Sequence, residues 1–477
     1  MAKLNTASKT PEPHSAALQR PGAMRMADLV SAISYALDLT EGQPQGHCLR
    51  SCLIGMSIGT EIGLPQDELS DLYYTILLKD AGCSSNASRL WELYGGDDRQ
   101  IKNRFKTVDS QSRVQMAEFV LRYAGPGEAL KKRLQRILHI SRSGETLATE
   151  LVKSRCERGA NIALQFGFND VVASGIHSLD EHWNGQGRPD GLSGSGIPIG
   201  ARIALLSQVA DVFHTMGGPE LALTEVHRRA GTWFDPELVA AFTHVASNSG
   251  LWHLFDPTHV ERHVRDLEPE ARAILVDEEK LDTIANGLAQ VVDAKSSFTS
   301  GHSHRVASYA DAIATRKGFD IARRRWLKRG ALLHDIGKLG VSNSILDKPG
   351  PLTASEWVAV REHARLSEEI IARITALADI ASIAGAHHER LDGKGYPRGL
   401  FATAIELETR IITVADIFDA LTASRPYRGP MPVEKALIIM NEMQGTAIDG
   451  GCLEALTASL AENTINITPT LPLPKAQ

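Results

Sequence analysis

Apolar residues recur at three- and four-residue spacing through almost the whole chain. Leu281, Ile284, Leu288 and Val291 form one such series, and Ile370, Ile371, Ile374 and Leu377 another; this is the pattern of helices that bury one face. Alternating, β-branched runs that would mark strands are scarce. Glycine and proline gather instead in "NGQGRPDGLSGSGIPIG" (184–200), "DKPGP" (347–351) and "LDGKGYPRGL" (391–400), which read as loops between helices. The pattern predicts an all-α protein with ordered glycine-rich loops.

The chain also repeats itself. "GHSHRVASYADAIATRKGF" from Gly301 matches "GHCLRSCLIGMSIGTEIGL" from Gly46, and "LLHDIGK" from Leu332 matches "LLKDAGC" from Leu77, both at a separation of 255 residues (301 minus 46, 332 minus 77). Further on, "HHERLDGKGYPRGL" (387–400) faces "HSLDEHWNGQGRPDGL" (177–192), and "VADIF" (414–418) faces "VADVF" (209–213). The order of blocks is the same in both halves, the mark of a tandem duplication. We expect two tandem helical domains joined by a helical linker: a disordered leader over 1–27, a first module over 28–245, a linker over 246–292, a second module over 293–465 and a disordered Pro-rich tail over 466–477.

Composition narrows the function. The 477 residues carry a net charge of −6, without the basic footprint that DNA or RNA polymers require, so a phosphate-bearing ligand is expected to be small. No apolar stretch reaches the length of a membrane span, and no secretory leader is evident. Five cysteines, at spacings that suggest no disulfide framework, suit reduced thiols and a cytoplasmic location. Cys48 and Cys52 read as small core residues rather than a metal pair.

The chemistry concentrates in the second module. His302, the adjacent pair His334 and Asp335, His363, the adjacent pair His387 and His388, and Asp416 supply the mixed nitrogen and oxygen donors expected for two divalent ions, with Asp335 the natural bridge. Iron or manganese suits such sites better than zinc. Lys338, one turn beyond His334, is placed to neutralise charge on a phosphate. Arg425 and Arg428 suit a planar grip on a second phosphate or a guanine edge, and Asp419 could accept from a guanine amino group. Arg305 is open to two roles, phosphate binding or pairing with an acidic neighbour. Gly393, Gly395, Tyr396 and Pro397 shape the loop beside His388, with Tyr396 facing substrate.

"HDIGK", "HHERLDGKGYP" and "VADIFDALTASRPYR", in that order after "SGHSHRVASYA", resemble the HD-GYP branch of the HD phosphohydrolases over about 293–430. The resemblance implies a metal-dependent phosphodiesterase that opens cyclic di-GMP to pGpG, and on to GMP in some members. It implies that His302, His334, Asp335 and Asp416 hold one metal, with Asp335 bridging to a second held by His363, His387 and His388. Where some members carry a third-metal glutamate this chain has Phe298, so two metals are expected. Leu391 stands where tryptophan is common, and the usual proline after His363 is missing.

The first module reads as a damaged copy. It keeps His47, Asp80, His177 and Asp211 opposite His302, Asp335, His387 and Asp416. It has Lys79 for His334, Cys83 for Lys338, Arg155 for His363 and Ser178 for His388. An ammonium at Lys79 would repel a metal while pairing with the carboxylates, so this module is expected to be non-catalytic and to regulate or dimerise. The rival readings are a phosphodiesterase for mixed cyclic dinucleotides such as cyclic GMP-AMP, and a cyclic-dinucleotide-responsive scaffold for a partner such as a diguanylate cyclase. A homodimer fits either.

Overall fold

The computed structural model describes residues 24–248, 250–269, 274–296, 299–424 and 429–462. Apart from one antiparallel pair of two-residue strands, Met24–Arg25 against Leu275–Val276, and isolated bridges, the described residues are helices and loops, as the periodicity predicts. Of the leader expected over 1–27, Met24–Ala27 are described, and Met26 and Ala27 are fully buried at the start of the first helix. Residues 1–23 and 463–477, Phe298, Arg425 and Arg428 lie outside the described residues.

The two halves build the same helical scaffold. In the first, helices Met26–Thr40, His47–Glu61, Gln66–Leu78, Leu130–Gln165, Asp170–His177 and Ile199–Arg228, the last broken at Gly217 and Gly218, follow one another. In the second, the series is Glu278–Asp293, His302–Arg316, Ile321–Leu333, Ala354–Ala372, Ala378–Gly385 and Leu407–Thr422. Matching hydrogen bonds fix the register. Asp38 accepts from the amides of Gly46 and Cys48 (2.8 and 3.0 Å), and Asp293 accepts from the amide and hydroxyl of Ser303 (3.3 and 2.7 Å); each carboxylate satisfies unpaired donors at the next helix start. Helix Glu278–Asp293 is therefore the opening helix of the second module. The linker expected over 246–292 ends before it, because that helix plays the part of Met26–Thr40 with almost no likeness of sequence.

The first half carries an insertion, helices Ala87–Tyr94, Asp98–Phe105 and Arg113–Tyr123. These pack a small core of their own around Tyr94, Ile101, Phe119 and Ile140. The main core runs without a break through both modules.

The modules also cross over. Helix Met26–Thr40 packs on the short 3-10 helix Ile336–Gly340 of the second module, while Glu278–Asp293 packs on Leu130–Gln165 of the first. Tyr35 donates to Glu369 at 2.9 Å, and Arg158 donates to the Gln290 carbonyl at 3.1 Å. From the insertion, buried Asp98 accepts from the amide of Asn343 at 2.7 Å and from Ser342 at 3.1 Å, and lies 3.4 Å from the buried ammonium of Lys295.

Candidate metal centre and its degenerate copy

Six elements of the second module deliver the site. His302 opens its helix, His334 closes the next, and Asp335 stands in the turn before Ile336–Gly340. His363 and Asp416 lie inside Ala354–Ala372 and Leu407–Thr422, and His387 and His388 follow Ala378–Gly385. Gly337 makes the arrangement tight: a Cβ there would sit 2.0 Å from the carbonyl oxygen of His363, so only glycine lets that helix approach.

All seven predicted donors converge. Asp335 Oδ2 lies 3.3 Å from His302 Nε2 and 3.4 Å from His334 Nε2, and its Oδ1 lies 3.4 Å from His363 Nε2 and 3.7 Å from His387 Nε2. Asp416 Oδ1 is 3.5 Å from His302 Nε2 and 3.9 Å from His334 Nε2. His388 packs its ring against His387 and His363, with centroids 4.0 and 5.0 Å apart. The donors thus form two groups that share Asp335.

The outward nitrogens explain the inward ones. Nδ1 of His334 and of His387 bonds to the carbonyls of Ala331 and Ala384 (2.7 and 2.6 Å), and Nδ1 of His363 to that of Val360. An imidazole that donates through Nδ1 presents its Nε2 lone pair to the other side. His302 Nε2, His334 Nε2 and Asp335 Oδ1 are buried without a hydrogen bond, a cost that a cation between them removes. Burial holds His363 and His387 neutral by lowering their pKa values to about 4 and about 3. For Asp335 burial acts the other way, but the Lys338 ammonium and His334 outweigh it and keep the carboxyl well below its usual range. The donor set fits divalent metal ions.

The other predicted residues divide. Lys338 reaches Asp335 directly, at the mouth of the cluster. Tyr396 lies beside His388, ring centroids 4.7 Å apart. Asp419 and Arg305 face each other and His302. Asp419 bonds to His302 Nδ1 at 2.7 Å and accepts from Arg305 Nε at 2.6 Å, and its burial leaves no edge for a guanine. Of the two roles open to Arg305, pairing with an acidic neighbour is the one seen. For His302, burial favours the neutral ring, but the nearby Asp335 carboxylate and the bond to Asp419 prevail and raise its pKa to about 9.

The first module repeats this frame with other contents. Arg50 Nε donates to Asp211 at 2.6 Å, and His47 Nδ1 bonds to it at 2.7 Å, so Asp211 is the counterpart of Asp419. The expected match of Asp211 to Asp416 is corrected: Gln208, one turn earlier, takes that place. Glu181 accepts from the amides of Asp190 and Gly191 as Glu389 does from those of Arg398 and Gly399. That register puts Leu179 and Asp180, not His177 and Ser178, opposite His387 and His388. His177 instead bonds to Asp190 at 3.0 Å. Arg155, opposite His363, pairs with Asp180.

Only His47 and Asp80 remain of the seven. Lys79 is fully buried against Asp80 and lies 3.2 Å from His47 Nε2, while Lys106 from the insertion lies 3.1 Å from Glu41 and 3.6 Å from Asp80. Burial opposes ionisation of Asp80, yet Lys106 and Lys79 hold its carboxyl far below the usual range. The space of a cation is filled by the protein's own ammonium groups.

The HD domain model matches residues 135–238 and 286–451, once in each half. A 3′3′-cGAMP-specific phosphodiesterase of Vibrio cholerae is 48% identical over 435 residues, covering 91% of this chain and 94% of that protein. A cyclic di-GMP phosphodiesterase response regulator of Xanthomonas campestris is 36% identical over 191 residues, 39% of this chain and 50% of its own length. The crystal structure of a cyclic GMP-AMP-specific phosphodiesterase of V. cholerae superposes with a TM-score of 0.64 at 44% identity, covering 92% of this chain and 98% of that one. No described helix is long and apolar enough to cross a membrane. With the match in both halves and the near-complete overlap with such relatives, the chain belongs to the HD-domain family, in a tandem form whose second copy carries the HD-GYP signature.

Proposed function

We propose that the second module hydrolyses a phosphodiester bond of a cyclic dinucleotide, with 3′3′-cGAMP preferred to cyclic di-GMP. The observation that supports it most is the complete, inward-facing donor set around Asp335 in a chain 48% identical, over nearly its whole length, to a cGAMP-specific enzyme. The match to the cyclic di-GMP phosphodiesterase response regulator covers only 39% of this chain and 50% of that protein, so the order of substrates expected from sequence is reversed here. His302, His334, Asp335 and Asp416 would hold one divalent ion, and His363, His387, His388 with Asp335 the other. Such ions make water nucleophilic near neutral pH.

The chain's own groups do the rest. Asp335 keeps both donor groups in register through its two oxygens. Lys338, beside it at the mouth, donates to a phosphate oxygen as charge builds there. Asp419 and Arg305 hold His302 in one tautomer. In the first module Lys79 and Arg155 occupy equivalent positions, with Lys106 from the insertion beside Asp80, so that half lacks the paired donor set and serves as structural support.

The test is product analysis of metal-loaded protein with 3′3′-cGAMP and cyclic di-GMP. The expected result is a linear dinucleotide from both, with kcat/KM at least about tenfold higher for 3′3′-cGAMP, equivalent to about 1.4 kcal/mol. His334→Ala with Asp335→Ala should abolish turnover of both. Faster cleavage of cyclic di-GMP would reverse the substrate order, and undiminished turnover in the double variant would remove the site.

A further inference from the structure

On the helix that carries His363, Trp357 and Arg361 lie one turn apart and project beside the glycine-rich loop. The Arg361 guanidinium carbon is 5.2 Å from the Tyr396 ring centroid and 6.0 Å from that of Trp357. Tyr396 in turn lies 4.7 Å from His388, with its ring tilted by 35°. A strip of flat groups therefore runs from the metal donors outward, in the order His388, Tyr396, Arg361, Trp357. Trp357 is 48% exposed, an indole face left to solvent at the rim of a buried polar site.

The duplicate supplies an internal comparison. By the register that pairs Arg155 with His363 and Asp180 with His388, the first module has Thr149, Lys153 and Arg188 at the places of Trp357, Arg361 and Tyr396. The same two elements still meet there, for Arg188 Nε donates to Thr149 Oγ1 at 2.9 Å. What is gone is every aromatic face. Packing the loop on the helix does not require them, and the half that lost its metal donors lost them too.

We propose that Trp357, Arg361 and Tyr396 form a stacking shelf for one purine base of the substrate; this rests on the cyclic-dinucleotide reading of the site. A purine presents a flat π face whatever its edge groups, and aromatic rings and guanidinium planes are the side chains that bind such faces. The shelf holds the base while the phosphodiester lies at the donors. It grips adenine and guanine alike, so it sets preference for purine dinucleotides over simple phosphodiesters, not the choice between the two purines.

The experiment compares kcat/KM for 3′3′-cGAMP with that for glycerophosphoethanolamine, a diester without any aromatic ring, in the full-length metal-loaded protein. Trp357→Ala and Arg361→Ala should each lower the ratio of the two about tenfold, mainly through KM for the dinucleotide, and Trp357→Phe should restore most of it. An unchanged ratio in both alanine variants would overturn the shelf, as would an equal loss on both substrates. If the parent cleaves glycerophosphoethanolamine but no cyclic dinucleotide, the functional reading fails instead, and the two failures are told apart.

Discussion

Asp419 shows how much one carboxylate outside the donor set decides. It bonds to His302 Nδ1 and is gripped by Arg305 through two nitrogens, at 2.6 and 3.0 Å, so ring orientation and tautomer are fixed together. Partners of this kind are worth about ten- to a hundredfold in metal affinity. Asp419→Asn should lose metal at chelator concentrations ten- to a hundredfold lower than the parent, read by metal analysis after dialysis, with its helical circular dichroism intact. The equivalent Asp211→Asn in the first module should leave bound metal unchanged. The donors themselves are legible in the sequence because adjacent pairs such as His334 and Asp335 have few other uses. The roles of Asp416 and Asp419 are not. They lie one helical turn apart on the same face, and the string "VAD" aligns Asp211 with the wrong one. The Arg50–Asp211 bond, repeated as Arg305–Asp419, settles the register only in three dimensions.

At the scale of elements, the helical class follows from periodicity, but the ownership of a helix does not. Glu278–Asp293 shows a clear apolar face, with Leu281, Ile284, Leu288 and Val291 all buried. Its place as the second module's first helix rests on Asp293 and the helix start it serves. The close approach of Ile336–Gly340 to Ala354–Ala372 is similarly invisible in sequence, since it depends on what Gly337 touches. Gly337→Ala should destabilise the protein by about 3 kcal/mol through overpacking against the His363 carbonyl, measured by urea unfolding. It should also displace His363 and so weaken metal retention. Gly82→Ala, which meets the Arg155 carbonyl at the same 2.0 Å, should cost similar stability.

Across the whole molecule, Asp98 ties the first module to the segment just after Lys338. Burial alone would raise its pKa, but Lys295, Lys102 and the hydrogen bonds from Asn343 and Ser342 prevail, so it is lowered. A carboxylate with a lowered folded-state pKa contributes stability above its unfolded value near pH 4, and that contribution is lost as the pH falls through the folded value. Asp98→Asn leaves Lys295 buried without its partner and should cost about 3–5 kcal/mol at pH 7. In parallel urea titrations the deficit relative to the parent should shrink as pH drops below about 4. A deficit that stays constant with pH would show that the carboxylate's charge is not what matters.

The crossed opening helices bear on how such a chain can be divided. Expressed alone, residues 278–462 leave the turn behind Lys338 without Met26–Thr40, and residues 24–277 leave Leu130–Gln165 without its cover. Each fragment is half of a split protein, complementary to the other in the way that subunits of an obligate pair are. Co-expressed from separate genes, the fragments should co-purify and recover turnover that neither shows singly.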